Sequence, residues 1–82
     1  MLYDPEAMST DDLNQLQQSY KVAVERWVAA IRAEEALANH DHSEVAMENW
    51  DHADFAVQDA GKQAREAREQ YKEGLRKLHF GI

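Results

Sequence analysis

The chain has 82 residues, 44% of them apolar and 30% charged, with sixteen acids against nine bases and a formal net charge of −7. That mix suits one folded domain better than a disordered chain. The acidic balance argues against a nucleic-acid partner, whose phosphates call for a basic footprint. The absence of cysteine excludes a disulfide framework, a thiolate metal site and a catalytic thiol.

The N-terminal arm, residues 1–9, carries neither a basic n-region nor an apolar h-region. Nowhere in the chain do about eighteen apolar residues run together, as a membrane span requires. The expectation is a soluble, cytoplasmic protein with no membrane partner. Pro5 disfavours helix at Asp4, and Leu2, Tyr3 and Met8 are apolar enough to dock the arm against Tyr71, Leu75 and Leu78.

From Ser9 to Phe80 there is no proline, and the only glycines are Gly61 and Gly74. Ser9 is the expected N-cap of helix 1, with Asp12 in the capping-box place and Asp11 adding favourable first-turn charge. The helix is predicted over about 10–39. Its apolar arc, from Leu13, Leu16 and Tyr20 through Val24, Trp27, Val28 and Ile31 to Leu37 and Ala38, fills about half the circumference. One neighbouring helix cannot cover so wide an arc, which suits a helix with two neighbours in a bundle.

The polar cluster Asn39-His40-Asp41-His42-Ser43 is the predicted turn, 39–43, with Asp41 or Ser43 as the cap of helix 2. So short a connection makes the two helices antiparallel neighbours. Helix 2 is predicted over about 44–79, on the 3-4 spacing of Trp50, Ala53, Val57, Ala60, Ala64, Ala67, Tyr71, Leu75 and Leu78. Gly81 and Ile82 form a Schellman-type stop. Gly61 could break this helix, since an interior glycine costs about 1 kcal/mol; the alternative fold is a three-helix bundle with a break there. The small centre of the stripe marks the closest helix approach, within the hairpin or across a twofold axis.

Charge is segregated along the chain. Residues 42–61 hold five acids and no base, whereas residues 62–82 hold six bases and three acids. Acids early and bases late complement a helix macrodipole. They would also pair across two antiparallel copies of helix 2.

Candidate chemistry is sparse. Glu34 lies one heptad after Trp27 on the apolar arc, where an unpaired carboxylate is costly. The turn is expected to bring it level with about Glu48 and near Trp50 or His52, a carboxylate and histidine set of the kind that binds metal inside bundles. His40 and His42 flank Asp41 in the turn and are weaker metal candidates. Neither Glu-x-x-His nor His-Glu-x-x-His occurs, the serines lack a nucleophile elbow, and the isolated glycines form no phosphate loop. Phe55, amid Glu44, Glu48, Asp51, Asp54 and Asp59, could anchor a basic partner protein.

The sequence thus reads as an all-α, long antiparallel helical hairpin that pairs into a homodimeric four-helix bundle. The expected role is a small acidic module for protein–protein interaction, assembly or regulation, without enzymatic activity or cofactor. The expected interface is Tyr20, Val24, Trp27, Val28, Ile31, Trp50, Val57, Ala60, Ala64 and Tyr71. The alternatives are a metal-binding bundle using Glu34 with nearby Glu or His residues, and an acidic inhibitor of a basic partner.

Overall fold

The computed structural model describes residues 9–81. Two helices, α1 (Thr10–Glu35) and α2 (Glu44–Phe80), pack against each other as an antiparallel hairpin. The expectations for the dock of Leu2, Tyr3 and Met8 and for the Ile82 contact of the Schellman stop lie outside the described residues.

Both helices start where side-chain oxygens can satisfy their first backbone donors. The Asp12 N–H donates to Ser9 Oγ at 3.1 Å, and the Ser9 N–H donates back to Asp12 Oδ2 at 3.3 Å, completing a capping box. Such a cap contributes about 1 kcal/mol. At α2 the cap is Ser43, whose Oγ accepts from the Ala46 N–H at 3.1 Å. Gly81 closes α2 in the left-handed region, at φ 70°, with its N–H donating to the Lys77 carbonyl at 3.0 Å. Only glycine adopts that conformation without a steric penalty.

Helix α1 ends at Glu35, four residues before the expected end at Asn39. After the cap at Ala36, the N–H groups of Leu37 and Ala38 reach back only three residues, to the carbonyls of Glu34 and Glu35, at 3.0 and 2.9 Å. Beyond them the side chains of the turn take over the backbone donors. Asn39 Oδ1 accepts from the Asp41 N–H at 2.7 Å, and Asp41 Oδ1 accepts from the Ser43 N–H at 2.9 Å. Two consecutive Asx-type links therefore lead straight into the α2 cap, and they compete with continued helix for the same donors.

Helix α2 passes through Gly61 without interruption, so no third helix forms among the described residues. The reason lies on α1. A Cβ built at Gly61 would stand 3.0 Å from both Cε2 and Nε1 of the Trp27 indole. The indole occupies the space that any other residue at 61 would fill. One turn further along α2, the Arg65 guanidinium lies 5.9 Å from the centre of the Trp27 ring, a cation–π distance. Gly61, Ala64 and Gly74 are the buried residues of α2, and Leu13 is the buried residue of α1.

The hairpin is 65 Å long and only 18 by 14 Å across. Its radius of gyration is 18.5 Å, against about 12 Å for a compact chain of this length. Among the described residues no side-chain hydrogen bond or ion pair crosses between α1 and α2; the polar contacts are local, such as Gln63 to Asp59 at 2.9 Å and Arg76 to Glu73 at 3.1 Å. Apolar contact and the Trp27–Gly61–Arg65 arrangement hold the two helices together.

Replacing Gly61 by alanine relieves a helix penalty of about 1 kcal/mol but sets a methyl group against the indole. We expect Gly61→Ala to stabilise a Trp27→Ala background by about 1 kcal/mol and the natural background by clearly less. A double-mutant cycle in urea at fixed protein concentration measures this; equal gains in both backgrounds would show that the indole does not occupy the Gly61 face.

Candidate interaction surface

A two-helix hairpin has two flanks, one on each side of the plane through its axes. One flank is marked by the open groove between Ser19, Val22, Ala23 and Arg26 of α1 and Gln63 and Ala67 of α2. At about 100° per residue, Val24, Val28 and Ile31 lie on the other side of α1. Gly61 and Arg65 lie on that same other side of α2, together with Trp50, Asp54, Arg68 and Lys72. The second flank is therefore where large apolar side chains and charged ones meet.

Burial separates the expected interface residues into three groups. Ala64, 2% exposed, is already covered within the hairpin and has little surface left for a partner. Tyr20, Val24, Trp27, Val57, Ala60 and Tyr71 are half-buried. Val28, Ile31 and Trp50 remain 41%, 42% and 36% exposed. These last three are the uncovered members of the expected interface. Met47, also exposed, lies beside Trp50 on the same flank.

Asp54, Arg68 and Lys72 also belong to this flank, yet an apolar stripe does not reveal them. They are charged, although they share the angular phase of Trp50 and Gly61. The signal was present in the spacing: Trp50 and Asp54 precede Gly61 by 11 and 7 residues, and Arg68 and Lys72 follow it by 7 and 11. Because 7 and 11 residues are close to two and three turns, all five positions fall on one row of α2.

The metal candidates are not brought into a site. Glu34 is half-buried, while Glu48, His52, His40 and His42 are exposed. Among the described residues no group of three or more histidine, aspartate or glutamate side chains converges on a common point. The Glu34 carboxylate makes no hydrogen bond or ion pair with any described residue. The histidines of the turn alternate with Asn39, Asp41 and Ser43, whose side chains are engaged with the backbone.

Among the described residues Phe55 is the most exposed large apolar side chain, at 74%. It points away from α1, on the outer face of α2, with Asp51 and Asp59 one turn to either side. The basic half of α2 carries local ion pairs: Arg68 and Lys72 each lie 3.6 Å from Glu69 Oε1. Both pairs are solvent-exposed and of little energetic weight. Among the described residues no helix is long and apolar enough to cross a membrane.

No protein-family model, curated protein or solved structure matches this chain. The class that the fold defines is an all-α helical hairpin with an uncovered apolar flank.

The Asp41 carboxyl is held below its ordinary value of 3.8, first by the Ser43 hydroxyl and then by the Ser43 N–H, both donating to the carboxylate. A carboxyl whose folded pKa is depressed contributes stability that is present above its unfolded pKa and is lost as pH falls through the folded one. Hairpin stability is therefore expected to decline below about pH 4. Asp41→Asn keeps the turn acceptor without the titration, and its stability profile should lack that component. Identical acid profiles for the two proteins, followed by circular dichroism, would remove Asp41 from the account.

Proposed function

We propose that this chain is a small acidic association module, which pairs with a second copy to complete a four-helix bundle and in that form mediates protein–protein assembly or regulation. The observation that carries the reading is the thin interior. Leu13 and Ala64 are the buried apolar side chains among the described residues, while Val28, Ile31, Trp50 and Met47 stay exposed. The accessible surface is 6721 Å², against about 5,000 Å² for a globular monomer of 9.4 kDa. A standard interface takes about 800 Å² from each partner. The surplus is ample for one such contact.

Burial of Val28, Ile31 and Trp50 in a second copy would add several kilocalories to a core that is marginal alone, at about 25 cal/mol per Å² of apolar surface. Sedimentation equilibrium is expected to give twice the 9.4 kDa chain mass at tens of micromolar protein. Ile31→Asp should shift that equilibrium to monomer. A cooperatively folded monomer for the natural chain at that concentration would overturn the reading.

The exposure of Phe55 within the acidic half of α2 favours a second reading, a basic partner protein held on the outer face. An aromatic anchor with a charged rim gives such a contact both affinity and orientation. Phe55→Ala should weaken capture of that partner about tenfold or more and leave self-association intact. Equal capture by both proteins counts against it.

A further inference from the structure

We infer that the second copy docks antiparallel on the flank that carries Val28 and Trp50, with Gly61 at the level of the twofold axis, so that Asp54 of each copy meets Arg68 of the other and Trp50 meets Lys72. The inference rests on the self-association proposed above and adds its face, direction and register.

Three observations support it. The row Trp50, Asp54, Gly61, Arg68, Lys72 is symmetric in spacing about Gly61 and opposite in character on its two sides. Reversing one copy about that midpoint places acid on base and aromatic ring on cation. The same operation sets Met47 against Leu75 and Val57 against Arg65, whose aliphatic stem can cover an apolar neighbour. Second, Asp54, Arg65, Arg68 and Trp50 are exposed in the hairpin and able to meet a partner. Third, Trp27 fixes the level of α1 by lying over Gly61. Val24 and Val28 therefore fall close to the same axis, where each copy's pair packs on the other's.

The two competing arrangements are poorer. A parallel dimer through this flank would stack Arg65, Arg68 and Lys72 on their own copies, and like charges facing each other are costly. The opposite flank, with Ser19, Val22, Ala23, Gln63 and Ala67, offers small neutral side chains and Arg26, with no charge pattern to set a direction.

Charge reversal tests the register. Asp54→Arg and Arg68→Asp should each weaken self-association about tenfold or more, because each variant faces two like-charged pairs in its own dimer. Mixed in equal amounts, the two variants should form a heterodimer close to natural affinity, since every 54–68 pair is then opposite in sign. Native mass spectrometry distinguishes the species if one variant is isotope-labelled, and helicity by circular dichroism checks that both variants fold. A natural chain that is monomeric sinks the association reading itself. A natural dimer whose variants pair as well as it does, or whose mixture shows no preference for the heterodimer, leaves association standing and overturns this register. Spin labels at Glu48→Cys decide the direction independently: antiparallel copies put the labels about 40 Å apart along the axis, and parallel copies put them side by side.

Discussion

The contact between the Trp27 indole and the bare backbone of Gly61 governs the rest of this molecule. No polar bond joins the two helices among the described residues, so their relative level depends on shape. An indole standing where a Cβ would be is a strong shape constraint, since sliding α2 by one turn would drive it into Arg65 or Val57. Arg65 closes over the ring from one side. The helix penalty of Gly61 is thereby offset by a large aromatic contact, and α2 stays continuous where its sequence is weakest. That continuity in turn gives α2 its 37 residues, more than α1 can cover.

The helix boundaries show which signals were legible in the sequence. Ser9 with Asp12 and Gly81 at the C-terminus are devices that act within one turn, and the structure places them as the residue types require. The end of α1 was not legible in the same way. Leu37 and Ala38 continue the apolar phase, but phase says nothing about competition for backbone donors. Asn39, Asp41 and Ser43, spaced two apart, win those donors, and the helix stops at Glu35. Turn chemistry outweighed periodicity.

For the candidate interaction surface the division is different. The small centre of α2 could be read from the sequence, but not whether it served the hairpin or a second copy. The burial of Gly61 and Ala64 under α1 assigns it to the hairpin. Val28, Ile31 and Trp50 were legible as apolar positions, and their incomplete cover follows from the narrowness of a two-helix body. Asp54, Arg68 and Lys72 were missed because a stripe traced by hydrophobicity passes between charged residues without asking which side of the stripe they occupy. Glu34, by contrast, stands out through its place on the arc, yet the structure gives its carboxylate no partner among the described residues.

The charge segregation of α2 has two physical explanations, and they differ in reach. A macrodipole acts within the first and last turns of a helix, which accounts for Glu44 at one end and Lys77 and His79 at the other. It does not account for Arg65 and Arg68, which stand three to four turns before Phe80, nor for Asp54, which stands more than two turns past the N-cap. Local ion pairs do little more, since those of Arg68 and Lys72 share the single carboxylate of Glu69 at 3.6 Å. What the mid-helix charges can do is set direction. Exposed apolar residues such as Val28 and Trp50 would favour contact with almost any apolar surface in either sense, because burial is non-directional. In the proposed dimer, opposite charges placed symmetrically about Gly61 would discriminate between the two senses at little cost to the free chain, and the rigid level fixed by Trp27 is what would make that discrimination sharp.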